Sequence, residues 1–430
     1  MRTTSIETRE PAPPHESLHA LDWLNFFLAA LLVGFGPFVA AHYAEQGWAP
    51  TGIGVVLTIS GLAGLFTQVP AGELVDIVQS KRAVVGVGAA ASILALLIFG
   101  LRVDFPSAAA AAVLQGTAGS VFGPGVAAIS LGLVGHHALA ERLGRNQRFA
   151  SIGSLSAAVI MGGIGYLLST RDIFLTAAAL GIPLLWTLAR IRRADIHFGR
   201  SCGAPDHHAT NPPRIGRAVL LRNRRLLVFA ICLFLFQLAN ASLLPLVGQA
   251  LTRTEGRASS VVVSALIALP QIIVALLAPW AGRTANTWGR RPLLLIGLAV
   301  VPIRSGLFAF TTDPALLIVL QLLDGLSGAT LGVLTTLIIA DLTNGTGRFN
   351  LALGLAGAAS GIGASLSTSI FGLVVQRFGY TAGLLGITAV GLMSVAIVMA
   401  FMPETKPSPF VRKPGARGLT WTRPTGAGAD

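Results

Sequence analysis

The 430-residue sequence encodes an all-α polytopic membrane protein, with twelve transmembrane helices in two six-helix halves. Composition is the first reason. Apolar residues make up 53% of the chain and charged residues only 11%, against roughly a quarter charged in soluble domains. Mean hydropathy is +0.72. These values exclude a soluble enzyme and a disordered chain alike. The second reason is a series of twelve apolar runs, each near the ~20 residues that a helix needs to cross the hydrocarbon layer. The third is an internal repeat that relates the two halves. Cys202 and Cys232 are too few for a disulfide framework and show no metal-ligand spacing.

In chain order, residues 1–20 form a polar, proline-containing tail without a cleavable secretion signal. The first run covers 21–43. The second, 52–72, ends at Gly72, where a charged loop begins. Runs 83–101, 107–135, 149–169 and 172–191 complete a first half, 21–191. Residues 192–225 are the longest polar stretch. Arg192, Arg193, Arg200, Arg214, Arg217, Arg222, Arg224 and Arg225, with Pro205, Pro212 and Pro213, make it a basic linker. Runs 226–250, 259–281, 292–311, 314–340, 350–375 and 380–402 form the second half, 226–402, followed by a tail, 403–430. These runs are solidly apolar, unlike the alternating strands of an outer-membrane barrel.

Orientation follows from the loops. With both termini cytoplasmic, the far-side loops hold only Arg102, Arg171, Arg253, Arg257 and Arg377, and Arg304 lies inside a run. The other 25 of the 31 Lys and Arg then face the cytoplasm, as the positive-inside rule requires of a bacterial inner (plasma) membrane protein. The formal charge of +13 is that of loops beside an anionic leaflet. The basic loops lack the interleaved aromatics that nucleic-acid binding would want.

Three pairs of matching features define the repeat. Gln115-Gly116 and Asp324-Gly325 are 209 residues apart, Pro37 and Pro245 are 208 apart, and Gly72 and Gly282 are 210 apart. Paired six-helix repeats with a site between them are a transporter architecture. The loop opened by Gly72 carries Asp76, Lys81 and Arg82; the loop opened by Gly282 carries Asn286, Gly289, Arg290 and Arg291.

In these loops and spans, over residues 21–402, the chain resembles the major facilitator superfamily. That family's signature G-x-x-x-D-x-x-G-R-[RK] joins helices two and three and recurs more weakly between eight and nine. The resemblance implies a monomeric secondary transporter that works by alternating access, without a cofactor. It implies that the nine loop residues just named latch the cytoplasmic side in the outward-open state. Physically, Gly72 and Gly282 permit close helix approach. Asp76 suits a helix N-terminus or a basic partner across the half-interface, and Lys81 and Arg82 belong at the headgroups. The first loop is one residue longer than the signature and lacks its second glycine; Asn286 replaces the acid in the second. On helix four the family's R-x-x-Q-G reads Ala112-Val113-Leu114-Gln115-Gly116, without the arginine associated with proton coupling. The antiporter signature of helix five keeps only Gly162-Gly163.

Ionisable residues inside a membrane are costly and functional by default. The chain has two, Asp324 and Arg304. At ~1.5 Å per residue they lie about 15 Å and 10 Å from the outer ends of their runs, depths that allow a pair on adjacent antiparallel helices. Two roles are open to it: a structural ion pair, or a site where Asp324 takes a proton or a cationic substrate as the pair breaks. Gln321 shares a helix face with Asp324, as Gln237 does with Asn240. Asn25, Gln68, Gln115 and Gln271 also lie within runs. The resemblance places helices one, four, seven and ten around a cavity, flanked by two, five, eight and eleven. This polar set then lines the substrate and proton pathway, helix–helix hydrogen bonds being its other use. Asp22 and Glu73 read as interfacial charges. No G-x-x-x-x-G-K-[ST] loop appears, so transport draws on an ion gradient or on the substrate's own. His136-His137 and Asp206-His207-His208 have no matching metal ligands, and the tails are too short for the added domain of a sensor. The expected activity is proton-coupled efflux of drugs or metabolites, not an enzymatic reaction. The alternative is a symporter or uniporter that takes up a sugar or organic anion. The partners are a small-molecule substrate, protons and membrane lipids, without metal or nucleic acid.

Overall fold

The computed structural model describes residues 15–204, 215–247, 259–311 and 313–406. Both outer tail segments, part of the linker (with Asp206-His207-His208) and the loop bearing Arg253 and Arg257 lie outside the described residues. Eleven described helices are long and apolar enough to cross a membrane. One of them, Phe105–Leu167, is broken at Gly135 and supplies two spans, which makes twelve.

Helix α1 is His15–Val33, resumed as Pro37–Glu45 beyond a break. Then come α2 (Pro50–Ile77), α3 (Lys81–Leu101), α4 and α5 (the arms of Phe105–Leu167) and α6 (Thr170–Arg190). The second half holds α7 (Arg224–Asn240), α8 (Ser259–Thr287), α9 (Arg290–Phe308), α10 (Pro314–Thr343), α11 (Phe349–Phe378) and α12 (Tyr380–Phe401). Local chemistry starts many of them. Ser80, Asp104, Ser169, Asn223 and Asp313 each accept a backbone N–H in the first turn, satisfying donors that the helix cannot.

The structure departs from the sequence reading between α4 and α5, where a loop was expected over 136–148. The chain instead turns at Gly135 alone, whose φ of 67° only glycine adopts without strain. Residues 136–148 are therefore helical.

Glycines bring the helices of each half together. A methyl on Gly116 of α4 would collide with the Ser60 carbonyl of α2, and one on Gly363 of α11 with the Phe234 carbonyl of α7. The halves then meet at one end, where the basic loops lie, referred to below as the basic end. Among the described residues, every hydrogen bond and ion pair between the halves is there. Among the described residues, no bond of this kind joins them at the other end. Methyls added at Gly61, Gly119 or Gly123 would meet nothing within 4 Å. Among the described residues, the halves are bonded to each other at the basic end.

Candidate functional site

Arg304 of α9 is 2% exposed and turns into the bundle. Its Nη1 lies 2.5 Å from Oδ1 of Asp324 on α10. The same nitrogen lies 3.4 Å from Oε1 of Gln321, and Nη2 donates to Oδ1 of Asn240 on α7 at 2.6 Å. Three helices thus converge on one guanidinium, whose Nε is buried without a partner among the described residues. Asp324 keeps 30% of its side chain exposed while Arg304 is sealed behind it. The carboxylate is the more exposed member of the pair.

The remaining intramembrane amides are more dispersed. Gln115 is buried with its Oε1 unpartnered among the described residues, and Asn25 donates to the Leu21 carbonyl of its own helix at 2.7 Å. Gln237 and Gln271 are half-buried. Gln68 packs across the seam, where its amide fills the space beside Gly357 of α11. None of these five joins the Arg304 cluster.

The basic end is a clasp built twice. Gly72 of α2 touches the backbone of Asn350 and Leu351 at the start of α11. Gly282 of α8 touches that of Ala140 and Glu141 near the start of α5. Both contacts are the same one, since Gly72 and Gly282, like Ala140 and Asn350, stand 210 residues apart. Among the described residues, only the first is reinforced by a charge across the contact. Asp76 accepts the N–H of Asn350 at 3.1 Å, the Asn350 amide at 2.9 Å and the N–H of Leu351 at 2.8 Å. It is a negative cap on the helix start of the opposite half, which the helix dipole favours. Glu73 pairs with Arg348 at 3.2 Å and with Arg217 of the linker at 2.6 Å.

Lys81 corrects the expectation that it stays at the headgroups: it is 1% exposed. Its ammonium turns back onto the carbonyls of Val75 and Val78, which end α2, and sits 3.3 Å from Sγ of Cys202. Arg290, 209 residues on, does the same in the second half. It donates to the Ala285 carbonyl at 2.7 Å and pairs with Asp341 at 3.0 Å. Satisfying the last carbonyls of a helix from the next is a better use of these cations than solvent. Arg82 donates to the Ala189 carbonyl and Arg291 to that of Met399. Asn286 lies 3.4 Å from Arg290, and Gly289 begins α9 at a φ of 102°.

Asp22 is not an interfacial charge either. It is fully buried and paired with Arg142 and Arg145 of α5. The linker also has structure that the sequence did not announce. The Cys202 carbonyl accepts the N–H of Phe349, and the Gly203 carbonyl that of Gly345. Burial pushes the Cys202 thiol up, against the pull of Lys81. Arg348, Asn350, Cys202 and Glu404, which accepts the N–H groups of Arg290 and Arg291, were missed as partners. For Asn350 a signal existed, since the repeat maps it onto Ala140.

The Major Facilitator Superfamily model matches residues 22–251 and again 229–425. Two uncharacterized MFS-type transporters of Mycobacterium tuberculosis strains are each 35% identical over 400 residues, covering 92% of this chain and 95% of theirs. The class B tetracycline resistance protein of Escherichia coli is 32% identical over 145 residues, 34% of this chain and 35% of that protein. Among solved structures, the human organic anion transporter MFSD10 matches with a TM-score of 0.65 at 15% identity, over 90% of this chain and 100% of that one. At that identity the likeness is one of fold.

Proposed function

This chain belongs to the major facilitator superfamily, and on that footing we propose that it is a proton-coupled exporter of drugs or metabolites. The observation that carries the reading is the Asp324 carboxylate, which is 30% exposed and paired with a buried Arg304. A proton on Asp324 would leave Arg304 with Asn240 and Gln321 alone. An uncompensated buried charge costs about 3–5 kcal/mol. Helix movement or a substrate group relieves that cost, so protonation and conformation become linked. The partial likeness to a tetracycline resistance protein favours export.

By the positive-inside rule we place the basic end and both termini in the cytoplasm of a bacterial inner membrane. The halves 21–191 and 226–402 then rock about the seam within one monomer, joined by 192–225. The clasp of Gly72, Asp76 and Gly282 is the closed cytoplasmic gate, and Asn25, Gln68, Gln115, Gln237 and Gln271 line the pathway.

A second reading has its own support. Ala112, buried at 0% exposure, occupies the position of the family's helix-four arginine, which leaves Arg304 as the cation of the site. An organic anion or sugar would then be taken up, by symport or uniport, as Arg304 exchanges Asp324 for the substrate.

Inside-out vesicles with a pH-sensitive dye separate the two. A panel of drugs, sugars and organic anions is added to energised vesicles bearing wild-type or Asp324→Asn protein. Release of the pH gradient by a compound with the wild type alone supports antiport through Asp324. Equilibration of labelled solute without proton movement refutes the coupling and leaves a uniporter.

A further inference from the structure

A pocket of about 600 Å³ opens on the flank of the bundle at its basic end. Helix α5 is its floor. Leu18 of α1 stands on one side, and Pro279 and Arg283 of α8 on the other, so it straddles the two halves. Its chemistry changes with depth. Arg142, Arg145 and Arg148 come first along α5; Phe149 and Ile152 follow toward the membrane interior. Arg142 is committed to Asp22 and to Asn146, the latter at 2.7 Å. Arg145 also reaches Asp22 yet keeps 58% of its side chain exposed. Arg148 and Arg283 are exposed and make no ion pair or hydrogen bond among the described residues. Four guanidinium groups against Glu141 and the Asp22 behind them leave two positive charges uncompensated.

The match to this lining is an anionic amphiphile. Guanidinium forks bind phosphate oxygens in pairs, and an acyl chain suits Phe149 and Ile152. The exposed face of α5, carrying Glu141, Arg145 and Arg148, points away from the bundle's core, where lipid reaches a membrane helix. Basic pockets between spans at the cytoplasmic side take anionic headgroups. We propose that this pocket binds one anionic phospholipid through Arg145, Arg148 and Arg283, and that the bound lipid holds the basic end closed. The second effect follows from ownership. Arg283 belongs to one half and the other arginines to the other, so the site is complete only while the halves touch there. A ligand of one state shifts the population toward it.

The test uses the full chain in a Cys232→Ser background, in nanodiscs of phosphatidylcholine alone or mixed with phosphatidylglycerol. Native mass spectrometry counts retained lipid, and maleimide labelling of the buried Cys202 reports opening of the basic end. Wild-type protein should retain one phosphatidylglycerol in preference to phosphatidylcholine and label more slowly with it. Arg148→Gln/Arg283→Gln should weaken retention about thirtyfold, the factor expected for two arginines near anionic lipid, and abolish the slowing. Arg222→Gln/Arg224→Gln, which removes the same charge elsewhere on that end, should change neither. Equal retention of both lipids by the wild type overturns the proposal without reference to any variant. So does equal loss in both double variants. Inorganic phosphate that slows labelling as well as the lipid does would make this a free-phosphate site and overturn it too.

Discussion

Replacing Asp76 with asparagine should unclasp the basic end. Oδ1 of Asp76 accepts from the Asn350 backbone and side chain, and Oδ2 from the Leu351 N–H. Asparagine keeps one oxygen and presents an NH₂ group where the other donor points. A hydrogen bond to a charged acceptor is worth about 1.5–3 kcal/mol, and a buried donor left unpaired costs about 1–3. Asparagine is itself a good helix cap, so the loss is one bond of the three, ~2 kcal/mol. Asp76 and α11 lie in opposite halves, so all of it falls on the closed state. The open fraction then rises about thirtyfold. The chain carries its own probe. Cys202 is 0% exposed, with its thiol against Lys81 and the Asp76 carbonyl of the first half and its own carbonyl bonded to Phe349 of the second, so it becomes reactive as the halves part; Cys232, the only other cysteine, is removed as serine. N-ethylmaleimide should therefore label Cys202 about thirtyfold faster in Asp76→Asn. Equal rates in the two proteins would show that Asp76 does not hold the clasp, and the reasoning fails.

Two further outcomes are expected. Arg304→Met strands Asp324 and should destabilise the protein by about 3 kcal/mol, the lower end of the range because the carboxylate keeps contact with solvent. Its melting temperature in detergent should drop, and Arg304→Met/Asp324→Leu should recover it without restoring transport; a single variant as stable as wild type refutes the pair's structural share. Glu404 carries a pH signature. Burial opposes its ionisation, but backbone N–H groups of Arg290, Lys406, Arg291 and Thr405 outweigh it and hold the carboxyl below its unfolded value of 4.5. Its contribution is complete above that value and is lost as pH falls through the lower folded one. Glu404→Gln should therefore melt earlier than wild type at neutral pH, and the difference should shrink and vanish as pH falls below 4.5 through the lower folded value.

The spans and the paired halves were legible because each is written in consecutive residues. The Arg304–Asp324 contact was legible for a different reason. Two lone charges at matching depth on antiparallel neighbours have few other partners. Lys81 was misread because a loop rule places a cation on a side of the membrane, not on an atom. Its place depends on the carbonyls that α2 leaves unsatisfied. The α4–α5 turn was drawn too long because 136–148 is polar, yet polarity there reflects Arg142 reaching Asp22 across a helix, not a loop. Arg348 and Asn350 became partners only when the halves met, and that approach is written in Gly72 and Gly282 rather than in their own neighbourhood.

The linker's attachments change what joins the two halves. His197 donates its N–H to the Gly132 carbonyl in the first half, while Cys202, Gly203 and Ile215 exchange main-chain bonds with Phe349, Gly345 and Thr346 in the second. Main-chain bonds are indifferent to side-chain identity, so this stitching can survive sequence drift that would erase a charge pair. It also survives the loss of chain continuity. A polypeptide interrupted within 205–214 keeps Cys202 and Gly203 on the first fragment, bonded to Phe349 and Gly345 of the second, and the six-helix pieces are then equipped to assemble as the subunits of a heterodimer do.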